Sequence, residues 1–353
     1  MQPINVALIG FGLGGRIFHA PFITQTVGFE LKLIQTSNPK NIALAQKEYP
    51  TASIVSDYEA VLADSSILLI VLAIPNRFHF DYAQKALEAG KHVVVEKPFT
   101  VTSQEAKTLI ELAQQQQKLL TVHHNRRWDS DFLTIKKVIA NNWLGKLVEY
   151  EAHFDRFRNY IKPNAWKEEP EIGGGILYDL GSHLIDQALQ LFGLPEAVFA
   201  DLRAQRAQSE VIDNFEVILY YPQLKATLKA SMLVRQDLPK FLLFGQEGTF
   251  VKHGSDPQEA DLLANQRPTM KTNWGLEKEA TWGSLNTNMN HSHFVGRIES
   301  EAGNYGLFYQ NLYQAITKNH PLAVSPESAR VVIKVIELAI QSHQSRKVIP
   351  FRD

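Results

Sequence analysis

Apolar runs of strand length recur through the first third of the chain: Val6-Ala7-Leu8-Ile9, Leu31-Lys32-Leu33-Ile34, Ile67 to Ala73, His92 to Val95 and Leu119 to Val122. Several are apolar throughout rather than alternating, as suits parallel strands buried on both faces. Between them, Arg16 to Thr26, Asn41 to Tyr49, Phe80 to Ala89 and Ser103 to Lys118 have helical spacing, and Gly90 fits a helix stop. Strand–helix–strand alternation of this kind predicts an α/β, doubly wound parallel sheet of Rossmann type.

After about Asn125 the pattern changes. A helix is expected over Ser130 to Asn141 and a long strand over Leu147 to Arg158, and Gly173-Gly174-Gly175 opens a helix running to about Leu191. Val198 to Arg206, Val211 to Tyr220, Ala226 to Val234 and Phe241 to Leu243 then read as strands with short connections. That spacing predicts an α+β domain with a largely antiparallel open sheet. Val217, Leu219, Leu228 and Met232 could supply a packed sheet face between copies. Ser255 to Glu301, rich in Asn, Thr, Gly and Trp, has no clear period and reads as a long loop. Asn304 to Lys318 and Ser325 to Ser342 close the chain as helices.

A length of 353 residues favours two domains, here 1–124 and 125–353, with the terminal helices free to pack back on the first. A net charge of −1 offers no general field for nucleic acid or an anionic membrane. The absence of cysteine excludes disulfides, thiolate nucleophiles and cysteine-ligated metals. No basic leader and no membrane-length apolar stretch are visible, so a soluble cytoplasmic protein is expected.

The first candidate chemistry is Gly10-Phe11-Gly12-Leu13-Gly14-Gly15, between the first strand and a helix. Gly10 suits the tight turn, Gly12 the approach of a pyrophosphate and Gly15 helix–strand packing, with free N–H groups at the helix start. A dinucleotide cofactor is expected there, with Phe11, Leu13 and Arg16 among its neighbours. About twenty residues on, Thr36, Ser37 and Asn38 stand where an acidic residue would select NAD. With Lys40 nearby, the stretch leans towards NADP over NAD. Ala73, Ile74, Pro75 and Asn76 end another strand beside the expected nicotinamide ribose. His79 opens the next helix, where capping and packing compete with a cofactor contact.

Glu96-Lys97-Pro98 ends a further apolar strand, at the sheet edge that faces ligands in open α/β folds. Glu96 and Lys97 join the cofactor set, and Lys97 is also a catalytic candidate, although a surface lysine would fit the same position. Asp179 and His183, four apart, share one helix face. Histidine can exchange a proton near neutral pH and an aspartate can orient a hydroxyl, although an exposed ion pair fits the same spacing. His123-His124 and His291-Ser292-His293 lack a full ligand set with sensible spacing, so no metal is expected.

Together these segments, with Glu88 to Val93, Asn125-Arg126-Arg127-Trp128 and Gly174 to His183, resemble the Gfo/Idh/MocA family of NAD(P)-dependent oxidoreductases over essentially the whole chain. The resemblance implies that Lys97 hydrogen-bonds the reacting hydroxyl, His183 acts as general base and Asp179 assists it. Asn125 and Arg126 match positions lining the family's cleft, and Trp166 could wall the substrate or sit in a core. Thr36 departs from the aspartate common in NAD-using members. The implied reaction is hydride transfer between nicotinamide C4 and a secondary alcohol of a sugar, inositol or similar polyol. A homodimer or homotetramer through the second-domain sheet is also implied. A non-catalytic nicotinamide sensor and an NAD-dependent glycoside hydrolase remain as alternatives.

Overall fold

The computed structural model describes residues 3–163, 165–170, 173–289 and 292–352. The chain forms two compact units, neither of them contiguous in sequence. The first comprises the chain up to Asn125 with Glu259–Thr272 and Tyr305–Val331; the second comprises Arg126–Gln258, Asn273–Asn304 and the chain from Val332 onward. The chain thus returns twice to its first unit after Asn125.

The first unit carries six parallel strands: β1 (Ile4–Ile9), β2 (Phe29–Gln35), β3 (Ser53–Val55), β4 (Leu69–Leu72), β5 (His92–Glu96) and β6 (Leu120–His123). Their spatial order is β3-β2-β1-β4-β5-β6, the doubly wound order that reverses direction between β1 and β4. Val71 and Val94 are fully buried, each stabilising the sheet by about 1.5–3 kcal/mol. The crossovers are α1 (Ala20–Gln25), α2 (Pro39–Glu48), α3 (Tyr58–Ala63), α4 (His79–Glu88) and α5 (Ser103–Gln115). The helix expected over Arg16 to Thr26 is in fact a wide π turn, Gly15–His19, followed by the short α1. Helix α5 starts on a capping box in which Thr102 and Glu105 satisfy each other's backbone N–H groups.

The second unit opens with α6 (Ser130–Ala140), β7 (Leu147–His153) and α7 (Ser182–Phe192). Its sheet continues through β8 (Ala197–Arg203), β9 (Asn214–Tyr220), β10 (Lys225–Ser231), β11 (Phe241–Gly245) and β12 (Gly248–Lys252). Along the rest of the chain come α8 (Gln258–Leu263), β13 (Gly283–Met289), β14 (Ser292–Ile298), α9 (Gly306–Lys318), α10 (Pro326–Ser345) and β15 (Ile349–Pro350), of which α8 beyond Gln258, α9 and the start of α10 belong to the first unit. Among the described residues the second unit's strands run β14-β13-β12-β11-β7-β10-β9-β8-β15, with β7 and β10 paired in parallel and the other neighbours antiparallel. Strict alternation of burial along β9 marks one face as core.

Three expectations change here. Val217, Leu219, Leu228 and Met232 are buried within this chain, while Glu216, Ile218 and Tyr220 on the opposite side of β9 are half-buried. The expected loop over Ser255 to Glu301 contains the hairpin β13–β14. Finally, β7 ends at His153, short of the expected Arg158. In the first unit, helix α9 packs on β2: the Phe29 ring meets Tyr309 and Tyr313 edge-on. Among the described residues no helix is long and apolar enough to cross a membrane.

Candidate active site

The glycine turn follows β1 at the point where the strand order reverses. At Gly10, with φ +90°, a Cβ would stand 2.4 Å from the Ala73 carbonyl oxygen; at Gly15 it would stand 2.1 Å from that of Gly10. Both positions are closed to side chains by the protein itself. At Gly12 nothing lies within 4 Å of an added Cβ. A backbone exposed to open space between two tightly packed glycines is the cradle a pyrophosphate needs, and the residues present fit a dinucleotide. The Phe11 ring is buried edge-on against Tyr49, so only its backbone is available to a cofactor. Leu13 is exposed. Arg16 lies 3.3 Å from Glu48 at the end of α2.

The neighbouring strand end carries Thr36, buried, with its N–H on the Val55 carbonyl. Ser37 and Lys40 are exposed. The Asn38 side chain caps α2 by accepting the N–H groups of Lys40 and Asn41, which leaves its amide nitrogen as the group able to contact a ligand. No carboxylate occupies Thr36 to Asn38, so nothing in this stretch repels an added phosphate.

At the ends of β4 and β5, Ala73, Ile74 and Pro75 are half-buried and Asn76 is buried. The His79 ring is a strut rather than a cofactor contact: Nδ1 lies 2.9 Å from the Pro98 carbonyl and Nε2 3.0 Å from that of Ile74. Burial lowers its pKa. Glu96 is likewise turned inward, against the expectation that it meets the cofactor. Its Oε1 is 2.8 Å from His19 Nε2 and 3.0 Å from His123 Nδ1, and its Oε2 accepts the Lys97 N–H at 2.9 Å. His19 Nδ1 in turn lies 2.5 Å from the Tyr309 hydroxyl. Burial opposes ionisation of Glu96, but the bonds from His123 and His19 outweigh it and hold the carboxyl well below its usual range. Burial, then the neighbouring His123, push His19 down to about 4.

Ligand-type atoms of His19, Glu96 and His123 lie within 4.8 Å of one another, yet the two imidazole N–H groups already engage the carboxylate oxygen. His19 and Tyr309 escape sequence reasoning because a lone histidine inside an apolar stretch looks like helix filler. Of the other histidine group, His291 lies outside the described residues, and His293 Nε2 is 2.8 Å from Asn286 Oδ1. Lys97 is half-buried just past β5, at the same carboxyl edge as Gly10 and Ala73.

In the second unit, Asp179 lies in a wide π turn, Leu177–Gly181, and His183 follows in the first turn of α7. Such turns insert an extra residue and re-aim side chains. The expected regular helix therefore begins only after Asp179. Gly175, with φ +76°, is not poised for a ligand: a Cβ there would meet the Ile212 carbonyl oxygen at 2.7 Å. Asp179 accepts from Lys167 Nζ at 2.5 Å. His183 is buried and stacks near Phe154 at 6.3 Å between ring centroids. The Arg126 guanidinium lies 4.8 Å from the Phe154 centroid, and Lys240 Nζ lies 5.5 Å from it. Trp166 is half-buried beside Lys167. Arg206 bonds both Asp213 and Glu168, tying down the segment that carries Trp166 and Lys167. Asn125 is buried at the end of the first unit.

Residues 4–124 match the model of an oxidoreductase family with an NAD-binding Rossmann fold, and residues 136–351 match its C-terminal alpha/beta domain. The scyllo-inositol 2-dehydrogenase (NADP(+)) of Bacillus subtilis is 35% identical over 99% of this chain and 96% of its own. A solved structure from Bacillus subtilis superposes with a TM-score of 0.95 at 35% identity, covering 99% of each chain. An oxidoreductase from Bacillus cereus does so with a TM-score of 0.89 at 32% identity, again over 99% of each. The doubly wound sheet, its glycine cradle and the match across both units make this chain a member of the Gfo/Idh/MocA family of NAD(P)-dependent oxidoreductases.

Proposed function

We propose that the protein oxidises, reversibly, a secondary alcohol of an inositol, sugar or similar polyol. The observation that carries this reading is the cradle at Gly12, open between the closed positions of Gly10 and Gly15. The scyllo-inositol 2-dehydrogenase relative supports the substrate class. The bound nicotinamide coenzyme supplies the hydride acceptor. Gly10, Gly12 and Gly15 hold its pyrophosphate, and Thr36 to Asn38 receive its adenosine ribose. The neutral groups there and the exposed Lys40 favour NADP over NAD, and the NADP(+)-using relative supports that preference.

Lys97 Nζ donates a hydrogen bond to the reacting oxygen and stabilises its alkoxide character as the C–H bond breaks. His183 takes the hydroxyl proton; its Nδ1 is buried, which leaves Nε2 for the transfer. Asp179 orients the hydroxyl and favours the imidazolium that forms. Asn125, Arg126 and Trp166 contribute to substrate binding. The half-buried sheet face with Ile218 and Tyr220 joins a second copy, a point for light scattering to test. The functional test is turnover of scyllo-inositol and a sugar panel with NADP and NAD. Coenzyme reduction on any of these substrates supports the reading; coenzyme binding with no reduction on all of them contradicts it.

A further inference from the structure

The carboxylate of Glu96 collects three N–H donors: two imidazoles on Oε1 and the Lys97 main chain on Oε2. The bond directions are fixed by chemistry. If His19 Nε2 donates to Glu96, its Nδ1 must accept, and the Tyr309 hydroxyl 2.5 Å away is the donor it needs. If His123 Nδ1 donates, Nε2 carries a lone pair, and that buried atom has no hydrogen-bond partner among the described residues. A bare acceptor is the cheaper atom to leave so, because an orphaned N–H would be a stranded donor. Three bonds therefore end on Glu96, the Tyr309 hydroxyl donates to His19 behind them, and the two rings are packed 4.3 Å apart with Phe308 edge-on to His123.

We infer that His19, Glu96, His123 and Tyr309 form a positioning device for Lys97, clamping the strand end through its main-chain N–H. The inference rests on the proposed role of Lys97 in turnover. A reacting group displaced by about 1 Å can lose on the order of 100-fold in rate, so such a clamp acts on turnover without touching substrate.

The direct readout is hydrogen exchange at the Lys97 amide in the full chain, with neither substrate nor coenzyme present. Glu96→Gln and His123→Leu should accelerate that amide by at least ~10-fold, leaving Val94 and Val95 protected. His123→Asn should not, because its side-chain amide can replace the Nδ1 donor although the ring is gone. With scyllo-inositol and NADP, Glu96→Gln and His123→Leu should lower kcat by roughly 10–100-fold with KM nearly unchanged. Exchange unchanged in Glu96→Gln, or raised equally along β5, overturns the clamp, as does His123→Asn behaving like His123→Leu. Should those variants fail to fold, Tyr309→Phe removes one hydroxyl only; a protected Lys97 amide there with wild-type kcat counts against it. Correct exchange behaviour combined with full turnover of Lys97→Ala would instead refute the role of Lys97 and leave the clamp standing.

Discussion

At the scale of single residues, the assignment of work divides between groups that reach a ligand and groups that hold others in place. His79 at the start of α4 and Glu96 at the end of β5 stand where a cofactor contact is expected, yet their polar atoms face the protein's own backbone and imidazoles. The proposed preference for NADP puts Thr36 at the position that tests coenzyme choice. A carboxylate there would face the 2′-phosphate with like charge, which costs several kcal/mol when poorly screened. Thr36→Asp should therefore lower kcat/KM with NADP by roughly 10–100-fold relative to NAD; equal efficiency with both coenzymes before and after would remove this position from selectivity. His19 sets an acid limit. Its folded pKa of about 4 lies below the ordinary 6.5, so between those values the unfolded chain binds the proton that the native one refuses. Stability is fully present above that window and is lost as pH falls through it, by about 2 kcal/mol on going to pH ~5. Urea midpoints should drop over that range, and the drop should shrink in His19→Gln.

At the scale of elements, the turn after β1 offers a clean separation of fold from function. Gly10→Ala forces a Cβ against the Ala73 carbonyl, whereas Gly12→Ala meets no protein atom. The first should lower the melting temperature by several degrees or prevent folding. The second should leave the melting temperature unchanged while weakening coenzyme binding by at least ~10-fold, read by titration of reduced-coenzyme fluorescence. Weak binding without loss of stability is the signature of a backbone surface kept bare for a ligand. Strands β1, β4, β5 and β6 were legible in the sequence as short, mostly apolar runs, and β2 by its alternation of Phe29, Leu31 and Leu33 with Glu30 and Lys32. Strand β3 and helix α3 escaped because three strand residues and six helical ones carry too little period. The hairpin β13–β14 escaped for a different reason. Its inward positions include Gly283 and Thr287 and its outward ones Ser284, Asn286 and Asn288, so the alternation is one of burial with little contrast in hydrophobicity. The wide turn that holds Asp179 was also invisible, since a π turn and an α turn have the same composition.

At the scale of the molecule, the chain leaves its first unit after Asn125 and returns to it with Glu259–Thr272 and Tyr305–Val331. That return matters for the clamp, because Tyr309 reaches His19 across 290 residues of sequence. No local pattern could announce such a bond, and here the sequence was silent. The glycine turn, Lys97, Asp179 and His183 could be singled out as candidates because of where they fall relative to strand and helix ends. The claim on which the account depends is that Lys97 and His183 act on the alcohol while the glycine cradle holds the coenzyme. Single-turnover coenzyme reduction with scyllo-inositol or a sugar substrate, measured at saturating coenzyme in wild type, Lys97→Ala and His183→Ala, tests it most directly. The account predicts a loss of roughly 100–1,000-fold in each variant, with coenzyme affinity within about twofold of wild type. Reduction at the wild-type rate in either variant would contradict it.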